Sequence, residues 1–305
     1  MPIEARSQGT APDPTTAGGR ESGIRYMAQS ALWFAVMSTL VKLASARQLP
    51  TMQIVFVRGC VTLLFATLVL WRAGSNPFRT RPGLLLVRGL IGSGALVCFY
   101  AAVVHMPLAE ATVIHQTAPL FTALLAALLL HERLETRVLI SIGTCLLGVL
   151  VIARPGSLFG GADTAAFDWL YAMVALLGSL LSSLAYVTVR HLGRTENPLV
   201  VVFYFPLVTA PLTAPFAVPI WVWPDATGWL LLFGIGLATQ IAQVSMTKGL
   251  AREAAGRATA IGYLQVAFAT LFGAIVFGVW PDAWSWGGMA LILLSLLLST
   301  VTQRR

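Results

Sequence analysis

The sequence predicts an all-α polytopic membrane protein of ten transmembrane helices, arranged as two inverted five-helix halves. Three observations carry that expectation. The first is how little charge the chain has. Of its 305 residues 57% are hydrophobic and 10% are charged, and the mean hydropathy is +0.79, whereas soluble domains carry roughly 25% charged residues. So few charges cannot cover the surface of a water-soluble domain of this size, which excludes a soluble enzyme, a disordered protein and a nucleic-acid binder. The second is that the charges separate apolar runs of about 20 residues, which at 1.5 Å per residue match a hydrocarbon core of roughly 30 Å. The third is the alternating placement of basic residues between those runs.

Taken in order, the spans fall near 26–46, 51–71, 84–105, 110–130, 137–153, 169–190, 199–221, 228–249, 258–279 and 284–302. Uncharged runs from Arg88 to Glu110, Glu110 to Glu132, Arg137 to Arg154 and Asp168 to Arg190 define four of them, and the second is apolar apart from Arg58. Helices rather than barrel strands follow from run length, since a strand needs only about 10 residues with strict alternation, and that alternation is missing. The first 22 residues, MPIEARSQGTAPDPTTAGGRES, are rich in Pro, Gly and Thr and are expected to form a disordered cytoplasmic tail. They hold no apolar core before a small-residue cleavage site, so no signal peptide is expected.

Orientation follows from Lys and Arg. With the N-terminus in the cytoplasm, inner segments hold Arg6, Arg20, Arg25, Arg72, Arg79, Arg81, Arg133, Arg137, Arg190, Arg194, Arg252, Arg257, Arg304 and Arg305, and outer loops hold only Arg47 and Arg154. This asymmetry places both termini in the cytoplasm of a multi-pass plasma (bacterial inner) membrane protein. Lys42, Arg58, Arg88 and Lys248 are left over at or inside helix ends. The net charge of +8 therefore reads as topology, with no nucleic-acid partner. Cys60, Cys98 and Cys145 all lie in spans and show no disulfide or metal spacing; no cofactor is expected.

Sliding the chain by 148 residues places Pro50 on Pro198, Lys42 on Arg190, Phe56 on Tyr204 and Arg58 on Pro206; at 147, ATVI (111–114) falls on ATAI (258–261). With five spans in each half, the second half is inverted relative to the first, an arrangement used by secondary transporters with the substrate between the repeats.

The stretches FVRGCVTLL, LVRGLIGSG, MPLAEATVIHQTAPLFTALLAALLLHERL and GVLVIARPG, and in the second half IGYLQVAFATLFGAIVFG with GGMALILLS, resemble the EamA family of the drug/metabolite transporter superfamily. The resemblance covers nearly everything from Tyr26 to Thr302 and implies a first repeat over 23–155 and a second over 168–302. It also implies that spans 1, 3, 4, 6, 8 and 9 line a central cavity, that spans 2 and 7 move with 1 and 6 as gates, and that spans 5 and 10 brace the core. Known relatives carry amino acids, nucleotides and sugars, riboflavin, S-adenosylmethionine or drugs. One departure stands out. Glu132 in HERL has no acidic counterpart after the ninth span, where FGVWPD places Val279 and Trp280, so the second half is expected to seal its membrane edge differently.

Polar groups deep in a bilayer are costly and default to functional candidates. In span 4, Pro119 removes the hydrogen bond to the carbonyl of residue 115, so His115 offers an imidazole and a freed acceptor beside Gln116; a helix–helix hydrogen bond from His115 is the alternative. In span 8, Gln240, Gln243 and Thr247 share one helical face, with interhelical packing preferred for Thr247. Span 9 adds Thr259, Tyr263 and Gln265; at the 147 shift Tyr263 overlies Gln116, so these positions are expected to approach each other across the pseudo-two-fold axis. Trp33 with Met37, Tyr100, and Ser182 with Tyr186 complete a cage suited to an amphipathic or aromatic cargo, although each taken alone also fits packing. Lys42, Arg58 and Pro206 are gate candidates. Snorkelling accounts for Lys42, whereas Arg58 lies roughly 10 Å down its span with Glu110 as its nearest acidic candidate. Pro206, Pro211, Pro215 and Pro219 are expected to kink or locally unwind span 7. Trp221, Trp223, Trp280, Trp284 and Trp286 read as interfacial anchors. The glycines of RGLIGSG lack the Lys-Ser/Thr of a phosphate loop and suit close helix packing.

The expected function is secondary transport of a small organic metabolite by alternating access, with amino-acid or drug/metabolite efflux ahead of uptake of a vitamin or nucleotide-like metabolite. An intramembrane enzyme is a remote alternative, because no His, Asp or Glu cluster stands within the spans. Coupling would run through His115 or His105, through exchange, or be absent. The expected partners are the substrate and the lipid bilayer, with a homodimer as a further state to test.

Overall fold

The computed structural model describes residues 17–79, 82–105, 108–153, 169–193, 195–278 and 280–301. The helices are α1 (Ala17–Ala46), α2 (Thr51–Arg72), α3 (Pro82–His105), α4 (Leu108–His115), α5 (Ala118–Leu130), α6 (Thr136–Ala153), α7 (Trp169–Leu192), α8 (Pro198–Ala217), α9 (Ala226–Arg252), α10 (Ala255–Ile261), α11 (Leu264–Phe277) and α12 (Ala283–Val301). Short 3-10 turns lie at Pro77–Arg79 and Val218–Ile220, and no strand occurs among the described residues. Among the described residues, taking α4 with α5 and α10 with α11 as single crossings, nine segments are long and apolar enough to cross a membrane, and the shorter apolar stretch Ala283–Ser295 of α12 makes the tenth helix. The first helix starts at Ala17, inside the stretch expected to be a tail; residues 1–16 of that stretch lie outside the described residues.

Two spans are interrupted at matching places. The fourth breaks at Gln116–Thr117 and the ninth at Gly262–Tyr263, positions that coincide within one residue at the 147 shift. Proline and glycine supply the local causes. Pro119 opens α5 at its first turn, where a proline needs no donor and is tolerated, and Gly262 weakens the ninth span because a glycine costs more to order than other residues. In both breaks the backbone tightens into i to i−3 bonds: Thr117 N donates to Ile114 O at 3.1 Å and Tyr263 N donates to Ala260 O at 3.1 Å.

Of the kink or local unwinding expected in span 7, the unwinding lies elsewhere. Helix α8 runs unbroken through Pro206, Pro211 and Pro215, and only Pro219 sits in a 3-10 turn. Each proline removes one donor, and the helix survives because its face from Val200 to Thr213 is buried against α2, α3 and α9, which hold the segment in place.

The strongest contacts join the two sequence halves. Span 1 packs on spans 8 and 9, and span 6 packs on their counterparts 3 and 4; span 2 meets 8 as 7 meets 3, while 2 pairs with 7 and 5 with 10. Each contact is mirrored under the exchange of repeats, so the halves interdigitate. One lobe draws spans 1 and 2 from the first half and 8 and 9 from the second, and the other lobe is its inverse.

The pseudo-two-fold axis is marked wherever a residue touches its own equivalent. Cys145 Sγ lies 3.9 Å from Ile292 O, two residues 147 apart. Beside them α6 and α12 meet backbone to backbone, since a Cβ added to Gly148 would stand 2.7 Å from Gly288 O and one added to Gly288 would stand 2.6 Å from Gly148 O. In RGLIGSG, a Cβ on Gly89 would meet Val208 Cγ2 at 2.8 Å and one on Gly92 would meet Phe205 at 3.0 Å. These small residues let α3 lie close against α8. Trp223, Trp280, Trp284 and Trp286 are exposed at helix ends, as aromatic rings at a headgroup level are.

Candidate functional site

The two helix breaks meet at the centre. Tyr263, only 1% exposed, donates its hydroxyl to the carbonyl of Gln116 at 2.7 Å. A broken helix leaves carbonyls that need partners in a water-poor interior, and here the turn of one repeat satisfies the turn of the other. Around it, Thr117 Oγ1 and Ser179 Oγ lie 2.8 Å apart, Ser183 donates to Ala118 O at 2.8 Å, and Ser182 Oγ is 3.3 Å from His115 Nε2. The His115 ring lies 4.7 Å from that of Phe99. These contacts supply the helix–helix hydrogen bond weighed above for His115, and they fix its ring between spans 3, 4 and 6.

A narrow cleft opens between α2, α8 and α9, lined by Arg58, Phe205, Pro206, Thr209, Gln240 and Gln243 among others. Arg58 and Pro206 are equivalents at the 148 shift, so this cleft also straddles the axis. Arg58 extends Nη1 to within 3.7 Å of Met37 Sδ and lies within electrostatic reach of Tyr100. Its suggested partner Glu110 has a side chain outside the described residues. The Gln240 side chain is buried and its Oε1 has no hydrogen-bond partner. Thr247 donates to Gln243 O in its own helix at 2.9 Å, and Thr259 likewise bonds Ala255 O at 2.9 Å. Trp33 and Gln265 are half-buried and do not line this cleft. Tyr186 is half-buried beside the core.

In the sequence Arg88 reads as one of four basic residues at or inside helix ends. The structure buries it, at 3% exposure, with its guanidinium carbon 4.5 Å over the Phe205 ring and Nη2 3.5 Å from Gln243 Oε1. Its Nε and Nη1 have no hydrogen-bond partner, and Tyr186 lies within electrostatic reach. The signal that could have found it is its place one residue before Gly89 on the face where α3 presses against α8.

The membrane face on which α1 starts holds a second constellation. Arg190 Nε pairs with Glu132 Oε1 at 2.9 Å, while Arg190 Nη1 donates to Leu250 O at 2.9 Å and Ala251 O at 2.8 Å. Glu132 Oε2 accepts from Ala255 N at 2.9 Å, at the first residue of α10. Arg257 adds Glu253 at 3.0 Å and Glu135 at 3.2 Å. On the opposite face Lys42, the equivalent of Arg190, sits 4.4 Å over the Phe277 ring, and Arg47 pairs with Asp225 at 2.9 Å. No group of three His, Cys, Asp or Glu able to hold a metal stands among the described residues.

A family model described as the EamA-like transporter family matches residues 21–154 and 169–301. The chain belongs to the EamA-like transporter family. This is a family of multi-pass membrane transporters and not of enzymes, in keeping with the ten-helix fold. Within it, the chain is 31% identical to the Pseudopaline exporter CntI of Pseudomonas aeruginosa (strain UCBPP-PA14), over 93% of this chain and 98% of that protein. It is 25% identical to a Riboflavin transporter of Brucella anthropi, over 85% of this chain and 92% of that one. A solved crystal structure superposes with a TM-score of 0.81 at 21% identity, covering 94% of this chain and 99% of that chain; that likeness concerns the fold.

Proposed function

We propose that this EamA protein exports a small organic metabolite across the plasma membrane by alternating access, with both termini cytoplasmic and with repeats bounded near 23–155 and 168–302. The observation that carries the reading is the meeting of two broken spans on the pseudo-two-fold axis, where Tyr263 bonds Gln116 O. Interrupted helices at the repeat interface leave polar backbone at mid-membrane, and that is where secondary transporters bind cargo. The axial cleft between spans 2, 7 and 8 supplies Arg58, Gln240, Gln243 and Pro206, with Tyr100 within electrostatic reach of Arg58 and Tyr186 within reach of Arg88. His115, Gln116, Tyr263, Trp33 and Gln265 are assigned to the cage around the crossing.

Export rather than uptake is supported by the 31% identity to an exporter along nearly its whole length. In the two-lobe arrangement, the Glu132–Arg190 network closes the cytoplasmic side and must open once per cycle. Lys42 takes the corresponding place on the outer side.

The test is reconstitution. Purified protein in liposomes should move at least one member of a broad metabolite panel saturably, and Gln243→Ala should reduce that flux while leaving the protein folded. A panel that neither moves nor raises the melting temperature would overturn the transport reading. Accumulation against the predicted direction in oriented vesicles would favour uptake.

A further inference from the structure

We propose that Arg88 is the anchor for a carboxylate on the transported molecule, and that Gln240 and Gln243 select a hydrogen-bond donor beside that carboxylate. The inference rests on the transport reading above and narrows it to a substrate class: organic acids that also carry an amine, amide or hydroxyl.

The case starts from an imbalance. A guanidinium does not lose its charge in a protein and has five donors in a planar fork. Arg88 is 3% exposed in the middle of a membrane protein, and among the described residues no carboxylate pairs with it. Its only hydrogen bond among the described residues is a long one, Nη2 to Gln243 Oε1 at 3.5 Å, and the ring of Phe205 supports its face. Two of its donor atoms, Nε and Nη1, have no partner. An isolated buried charge is among the most costly features a fold can hold, and intramembrane cations with no structural partner mark substrate paths.

The free edge has a definite shape. Nε–H and Nη1–H lie on different edges, and each pairs with one of the two N–H groups of Nη2; Gln243 takes at most one of those, so one edge keeps two parallel donors that match the oxygens of a planar carboxylate, a bidentate pair stronger than a neutral hydrogen bond. Both residues that Arg88 touches, Phe205 and Gln243, line the axial cleft, so the cation stands directly behind that wall. The same cleft presents the converse defect in Gln240 Oε1, a buried acceptor with nothing to accept. One molecule carrying a carboxylate and an adjacent donor corrects both. A neutral apolar cargo corrects neither, and a phosphate, although Arg58 also lines the cleft, is tetrahedral and does not match the planar fork of Arg88.

The experiment uses the full-length protein in detergent, with thermal unfolding followed for wild type, Arg88→Gln and Arg88→Lys. The probes are the L-amino acids and citrate, each beside its carboxamide, with phosphoethanolamine as the phosphate probe. Without ligand, R88Q should unfold at a higher temperature than wild type, because an unpaired buried charge is removed. A large fall instead would make Arg88 a structural residue and overturn the proposal. With probes, acids should raise the wild-type midpoint and their carboxamides should not. R88Q should need about tenfold to a hundredfold more acid for the same shift, as expected for losing a charged hydrogen-bond pair, and R88K should fall between. If carboxamides or phosphoethanolamine stabilise as well as the acids, or R88Q responds like wild type, the carboxylate site is overturned while transport stands. If no probe stabilises the protein and none enters proteoliposomes, both readings fall.

Discussion

The two membrane faces of this transporter are closed by different chemistry, although the repeats that build them are related by an inverted pseudo-two-fold. On the face bearing α1's start, Arg190 and Glu132 are 12% and 14% exposed in their side chains, and each also bonds backbone at the ends of α9 and α10. On the other, Arg47 and Asp225 are 47% and 62% exposed, and Lys42 has an aromatic face in place of an acid. The same Coulomb attraction is weak where water screens it and larger where it does not. A buried, backbone-tied pair makes one closure strong and geometrically specific. The second closure rests on packing, together with Gln53, whose amide donates to Val222 O at 2.7 Å and accepts from Val222 N at 3.0 Å. Sequence divergence between repeats has thus made the two ends of the bundle unequal, and the proposed transport cycle need not open them alike.

The largest expected effect breaks the strong gate. Glu132→Gln should leave Arg190 uncompensated, destabilising the protein by about 2–4 kcal/mol and cutting transport. A cysteine introduced at Ala254, in a background lacking the three native thiols, should become more reactive to a membrane-impermeant maleimide. Unchanged labelling together with unchanged flux would remove Glu132 from gating. If the double variant E132L/R190L regains the lost stability, the loss lay in the orphaned charge rather than in packing.

Next comes the junction where the two broken spans meet. Tyr263→Phe leaves the Gln116 carbonyl without its partner and should cost about 1–2 kcal/mol, read as a lower unfolding midpoint. A midpoint equal to wild type would mean water replaces the hydroxyl.

A smaller effect compares matched helix ends. His131 ends α5 at φ +53° and Gly278, its equivalent at the 147 shift, ends α11 at φ +68°. The left-handed conformation is free for glycine and strained for histidine, so His131→Gly should stabilise by about 0.5–1 kcal/mol. A destabilised variant would show that the imidazole has a role its turn does not reveal.

The smallest effect tests the weak gate. Asp225→Asn keeps the cap on Gly228 N, now accepted at 2.7 Å, because asparagine caps as well as aspartate. Only the exposed ion pair is lost, so stability should change by less than about 1 kcal/mol and flux should hold. A loss comparable with that of E132Q would erase the difference between the faces.

Much of this architecture is legible along the chain. Ten apolar runs, the clustering of arginines on alternate loops and the proline behind the break in span 4 are all local patterns. The repeat shift even pairs Tyr263 with Gln116, which the structure joins by a hydrogen bond. Other features were not readable. Four prolines in span 7 suggested unwinding there, yet burial on three neighbours keeps α8 helical, and the ninth span breaks at a glycine no louder than the others in the sequence. Arg88 looked like a helix-end cation because nothing nearby in sequence says which residues of α8 and α9 will surround it. Glu132 stands out in the sequence for lacking a repeat partner, but its two oxygens serve residues 58 and 123 positions away.

The sequence by itself determined the number of crossings, their helical form and the identity of the family, because span length, hydropathy and backbone donors act over a few turns. Tertiary structure alone decided which charges are paired and which are stranded. It seated Arg190 against Glu132, left Arg88 with a free edge behind the axial cleft, and wove the halves into two mixed lobes. Those outcomes depend on contacts between segments far apart in the chain, where burial removes water and turns the same side chain into a lock or an open valence.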